Sequence, residues 1–236
     1  MYAAAAIPTA TPKIDIAGLA MCRGLARQGA SRIVAVSALQ KAKAGETLFC
    51  EGDDSDGIYE VVTGMLRLHK LLPDGRRQIT GFLGAGKVLG LAPEGTHVYS
   101  AEAITDITVC RYPRVGFDRL IDEVPGLARR LLAVASHELR AAQDQMLLLG
   151  RKAASEKVAS FLLLMAEEQS NNDVVAVPMA RSDIADYLGL TTETVSRTFT
   201  KLKNEGLIAL PTPNNVEILD REQLEDFAAG QSNPEL

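Results

Sequence analysis

Three residues in the C-terminal third have the types and spacing needed to read a base pair: Glu193, Ser196 and Arg197, in the order Glu-x-x-Ser-Arg. On a helix these positions share one face. From there an arginine can donate two hydrogen bonds to guanine N7 and O6, a glutamate can accept from a cytosine amino group, and a serine can reach a base edge or a phosphate. Thr192 stands beside them and completes the expected base-reading set. Thr200 and Lys201 continue the stripe toward the helix end. Together with Arg181, Thr191 and Lys203 they are expected at phosphates, which fix position without reading sequence. A plainer reading also exists. An acid in a first turn is favoured by the helix dipole, and an i,i+4 Glu–Arg pair supports many exposed helices. The surrounding elements must decide between the two.

Those elements follow from the apolar pattern. Ser182 is placed to cap a short helix with Ile184, Ala185 and Leu188 on its inner face. Gly189 supplies a tight turn. Thr191 is placed to cap a second helix, on which Val195, Phe199 and Leu202 fall on one side and which Gly206 ends. Two helices packed across such a turn form a helix-turn-helix, whose second helix enters the major groove. Leu207–Leu210 and Val216–Leu219 read as strands of a wing hairpin around Pro211–Asn215. Upstream, Ser155–Glu168 reads as helix, Asn171–Asp173 as loop and Val174–Pro178 as a short strand.

A palindromic site needs two copies, and the sequence offers a seam. Leu132, Ala135, Leu139, Ala142, Met146 and Leu149 alternate spacings of three and four through a helix expected over Pro125–Gly150. A second stripe, Leu131, Val134, Gln145 and Leu148, lies beside it. Two stripes imply two partners: the chain's own body and the same helix of a second copy. A single wide stripe packed within one chain is the other reading.

Upstream still, from about Val36 to Tyr112, short apolar runs alternate with glycines and Asp-Gly turns. This is the texture of an antiparallel sandwich or barrel. Leu71–Arg77 reads as a hairpin with an exposed basic tip. The composition, 47% hydrophobic and 23% charged, is that of a globular chain, and no apolar run approaches the ~20 residues of a membrane-spanning helix. Met1–Lys13 lacks the basic start and apolar centre of a secretory signal and is expected to be a loose arm. Cys22, Cys50 and Cys110 are scattered, which argues against disulfides or a metal site and for a cytoplasmic setting. The net charge of −5, with 8 Lys plus Arg against 14 Asp plus Glu from Gly150 onward, runs against phosphate binding. Contact with DNA must therefore rest on local clustering. No Ser/His/Asp or Cys/His arrangement, phosphate loop or metal cluster suggests an enzyme.

With these motifs in place the chain resembles the superfamily of the cyclic-AMP receptor protein and FNR, and within it the FixK-like branch. The resemblance runs from about Ser37 to Ile218. It is carried most specifically by Asp183–Arg197, with its Glu193, Ser196, Arg197 core, and further by Leu71–Phe82 and Ala142–Leu149. It implies an α+β chain: an N-terminal antiparallel β-roll, jelly-roll-like, as sensor domain; a long dimerisation helix; and a C-terminal winged helix-turn-helix. It also implies operators of the TTGA-N6-TCAA type, promoter activation through RNA polymerase, and genes for low-oxygen respiration. Departures matter equally. FNR holds an iron–sulfur cluster on an N-terminal cysteine cluster plus a central cysteine, whereas this N-terminus offers only Cys22. Cyclic-nucleotide members use a Gly-Glu and an Arg-Ser; here Leu91 follows Gly90, and no arginine occurs between Gly84 and Cys110. Without that guanidinium the phosphate loses its partner. His69, His97 and His137 are scattered rather than placed as haem ligands.

The expectation is a homodimeric DNA-binding regulator, not an enzyme, with no metal and no bound cofactor. Its parts are residues 1–30 as an arm, 31–124 as the β-roll, 125–150 as the dimerisation helix and 151–236 as the DNA-binding domain. Some relatives weaken their seam with an acidic residue; Ala141 and Ala142 are uncharged here. The protein is therefore expected to pair and bind without an effector, control lying in synthesis, turnover or modification. A ligand-gated or thiol-gated regulator, and a module acting by protein contact alone, are the competing readings.

Overall fold

In the computed structural model, residues 19–91, 95–169 and 174–231 are described. The expected arm Met1–Lys13 and loop Asn171–Asp173 lie outside them. The chain divides into two compact units, residues 1–66 with 83–136 and residues 67–82 with 137–236.

The first unit is built on antiparallel strands. β1 (Ala38–Ala42), β8 (Ile107–Pro113), β3 (Gly57–Thr63) and β6 (Val88–Leu89) form one sheet in the order β1-β8-β3-β6. Its register sets Leu39 against Cys110 and Ile58 against Tyr112. β2 (Thr47–Phe49) pairs with β7 (Ser100–Ala103). The expected antiparallel β-domain is thus present, and three helical pieces that spacing did not reveal complete it: a 3-10 turn at Ala20–Cys22, α1 (Arg27–Val36) and α2 (Arg114–Glu123). Met21, Ile33, Ile58, Tyr112, Phe117 and Leu127 form the core against them.

One charged group sits inside this core. Glu60 is 1% exposed, and its carboxylate accepts hydrogen bonds from the N–H groups of Ala20 and Met21 and from the Tyr112 hydroxyl at 3.0 Å. Burial pushes its pKa up, and the three donors oppose that shift only in part.

α3 (Leu127–Arg151) is a continuous helix of 25 residues. Its two stripes differ in exposure. Leu131, Val134 and Gln145 are half-buried and Leu148 is buried, whereas Leu132, Leu139 and Met146 are 68%, 60% and 66% exposed. Ala135 and Ala142 are exposed as well, and Leu149 is half-buried.

In the second unit, α4 (Ala154–Glu168) carries Val158, Phe161, Leu162 and Met165 into the core. α5 (Arg181–Leu188), α6 (Thr192–Asn204) and α7 (Arg221–Ala228) surround it with a three-stranded sheet, β10 (Ile208–Thr212), β11 (Asn215–Ile218) and β9 (Val174–Ala176). The hairpin of β4 (Leu66–Leu71) and β5 (Arg77–Leu83) groups largely with this unit. Phe82, Phe161 and Tyr187 make a three-ring cluster with centroids 5.1–6.0 Å apart, a spacing at which aromatic pairs attract beyond simple burial.

Candidate nucleic-acid interface

The two helices of the motif are packed by the predicted residues. Ile184, Ala185 and Leu188 on α5 and Val195, Phe199 and Leu202 on α6 are all buried. Gly189 between them has φ +63°, the left-handed conformation that lets the chain reverse without a Cβ clash. The Thr191 hydroxyl accepts from the Thr194 N–H at 3.1 Å, so Thr191 caps α6 as expected. α5 differs in detail. Ala180 takes the cap position and Ser182 lies inside the first turn, because the helix begins two residues earlier than a serine cap requires. The wing is also tighter than expected: Thr212 pairs with Asn215, leaving Pro213 and Asn214 as its tip.

The outer stripe of α6 is open. Thr192, Glu193, Ser196, Arg197, Thr200, Lys201 and Lys203 are all exposed. The guanidinium of Arg197 stands 3.8 Å from Glu193, with side chains 71% and 77% exposed. The i,i+4 pair therefore exists, but a contact of that length and exposure is worth only ~0.5 kcal/mol and yields readily to another partner. The Ser196 hydroxyl donates to the Thr192 carbonyl and that of Thr200 to the Ser196 carbonyl; a rotation about χ1 frees either. Lys201 lies 3.7 Å from Glu205 and 5.2 Å from the Phe227 ring.

Arg181, expected at a phosphate, is the first residue of α5. Its guanidinium stacks on Phe199 at 3.4 Å and is half-buried, which lowers its pKa. The cation braces α5 against α6.

A second set of charged residues was not singled out by spacing. Asp183 and Asp186 lie on one face of α5, and two hairpin arginines grip them. Arg67 reaches Asp183 at 2.8 Å; Arg77 bonds Asp183 at 2.5 Å through Nη2 and Asp186 at 3.0 and 2.8 Å through Nε and Nη2. Gln78 Nε2 donates to the Asp186 carbonyl at 2.7 Å. The Asp183 side chain is 5% exposed. The hairpin's basic tip is accordingly Arg76, which is exposed and pairs with Asp74; Arg77 turns onto α5 instead. The only sequence signal was an arginine in a strand and two acids three apart.

In the β-unit, Cys22 and Cys110 are buried and Cys50 is exposed just after β2. Burial, then the Glu60 and Cys110 charges, push the Cys22 thiol up to about 11, and burial raises that of Cys110. Among the described residues no group of three or more His, Cys, Asp or Glu could hold a metal ion, and no helix is long and apolar enough to cross a membrane. Around Gly90, where a cyclic phosphate would be held, the Gly90 carbonyl accepts from Arg114 at 2.7 Å. Lys87 is the only lysine or arginine between Gly84 and Cys110.

Comparison with known proteins agrees with this geometry. Residues 156–227 match the Crp-like helix-turn-helix domain and residues 39–124 the cyclic nucleotide-binding domain. The chain is 50% identical over 190 residues to the nitrogen fixation regulation protein FixK of Bradyrhizobium diazoefficiens, covering 79% of this chain and 80% of that protein. It is 44% identical to the transcriptional activatory protein AadR of Rhodopseudomonas palustris, covering 91% of each. The structure of FixK2 from Bradyrhizobium japonicum superposes with a TM-score of 0.78 at 40% identity, covering 81% of this chain and 97% of that one. The exposed outer face of α6 on a Crp-like motif and these relatives converge: the chain belongs to the CRP/FNR superfamily of helix-turn-helix transcription regulators, in its FixK-like branch.

Proposed function

We propose that the protein is a homodimeric transcription activator that reads a TTGA-N6-TCAA-type inverted repeat and needs no small-molecule effector. Thr192, Glu193, Ser196 and Arg197 face base edges. Thr191, Thr200, Lys201 and Lys203 face phosphates, and Arg181, the first residue of α5, assists them although its guanidinium stacks on Phe199. One observation carries the reading: the outer stripe of α6 is solvent-exposed while its inner stripe is buried. Only such a helix can offer Arg197 to a guanine.

Pairing is supported by the seam on α3, where Leu132, Leu139 and Met146 recur every seventh residue with more than half of each exposed. Isolated exposed leucines are ordinary, but an unpartnered heptad stripe fits a second copy of itself. Two reading helices then stand ~34 Å apart, one turn of DNA. Activation is supported by the relatives, several of which are named activators or nitrogen fixation regulators; contact with RNA polymerase, action in the cytoplasm and a role under low oxygen belong to the same proposal.

Selection of binding sites from random DNA with the purified apo-protein tests all of this together. Enrichment of an inverted repeat is expected. A protein that selects no sequence, or does so only after a small molecule is supplied, refutes the effector-free reading.

A further inference from the structure

Base-reading contacts tolerate displacements of only about half an ångström, so α6 needs a fixed support. That support is α5, packed on α6 through buried Ile184, Leu188, Val195 and Phe199. α5 is held in turn on a separate face. Asp183 and Asp186, three residues apart, point the same way, and the planar fork of Arg77 bridges both. A fork bridging two carboxylates nearly one turn apart resists rotation of α5 about its axis. The Gln78 bond to the Asp186 carbonyl resists sliding along it. On the same strand, Phe82 packs on Tyr187, the next residue of α5. Polar and apolar grips thus come from one hairpin, with Arg77 106 residues from Asp183 in sequence.

We propose that Arg77, assisted by Arg67, is a positioning residue for operator recognition, acting through Asp183 and Asp186 on the placement of α6. The proposal rests on the reading of α6 given above. It assigns to a hairpin that never touches a base a share of the sequence specificity. Arginine is required because a lysine carries a point charge and cannot span two carboxylates with parallel bonds.

The test compares the full-length protein with Arg77→Lys, Arg77→Gln and the charge exchange Arg77→Asp with Asp186→Arg. Affinity is measured for the selected operator and for random-sequence DNA well below the melting temperature, at one salt concentration. Arg77→Gln is expected to lower the operator-to-random ratio about tenfold, and Arg77→Lys by severalfold. Affinity for random DNA should hold, and melting should fall only slightly because Asp183 keeps Arg67. The exchange should recover most of the ratio. An unchanged ratio, an equal loss on both DNAs, or tighter operator binding overturns the proposal; the last would mean that the hairpin restrains α6. If Arg77→Gln does not fold, Arg77→Lys decides alone by the same ratio. A wild-type protein without operator preference, or an Arg197→Ala variant that keeps it, refutes the reading of α6 itself and is recognisable before any Arg77 variant is compared.

Discussion

Two sets of arginine–carboxylate contacts lie on neighbouring helices and could hardly differ more. On α6, Glu193 and Arg197 meet at 3.8 Å with most of both side chains in water. On α5, Asp183 and Asp186 are gripped at 2.5–3.0 Å, and Asp183 is almost wholly desolvated. Solvated charges a turn apart attract weakly and exchange partners freely. Desolvated ones hold geometry, and losing one partner strands the other. The same residue types therefore make an open, exchangeable pair in one place and a fastening in the other, and solvent access decides which.

This contrast can be attacked from both sides. Arg197→Ala should have the largest effect, a loss of roughly 100-fold or more in operator affinity across two half-sites, at about 1–3 kcal/mol each. Its melting temperature should match wild type, and a gel shift beside a thermal melt checks both. Asp183→Ala should do the reverse and cost about 2–3 kcal/mol of stability, roughly 10 °C in melting temperature for a unit of this size. A melt within 2 °C of wild type would make the α5 grip no stronger than a surface pair. Thr191→Ala removes the cap of α6 and should cost about 1 kcal/mol by chemical denaturation, with binding reduced only in step. Glu193→Gln should change stability by less than about 0.5 kcal/mol, yet shift the preferred base at one position per half-site in a repeated site selection. An unaltered preference would leave Glu193 as a helix-end charge and nothing more.

The reading helix was legible because its information is local. Val195, Phe199 and Leu202 recur at helical spacing, Gly189 and Thr191 mark the boundary, and the polar stripe is whatever remains. The exposed apolar stripe of α3 was legible for the same reason. α1 and α2 were not: only Ala30 and Ile33 of α1, and Phe117 and Leu120 of α2, are buried, too few turns to set up a period. Gly29 deepened the concealment. It reads as a helix breaker, yet a Cβ there would lie 2.7 Å from Val124 Cγ1, so the glycine permits a close approach instead. The α5 grip was hidden for another reason. Arg77 and Asp183 are 106 residues apart, and nothing in either neighbourhood announces the other.

The carboxylate of Glu60 makes the β-unit a proton-linked fold. Its affinity for a proton is higher when folded than when the chain is open. That contribution is complete below the ordinary glutamate range near pH 4.3 and fades as alkalinity carries the folded group through its own, higher pKa. Between those limits unfolding must shed hydrogen ions into the medium. Calorimetric unfolding in two buffers of unlike ionisation heat would register them as unequal enthalpies. Exchanging Glu60 for glutamine would make the two heats converge.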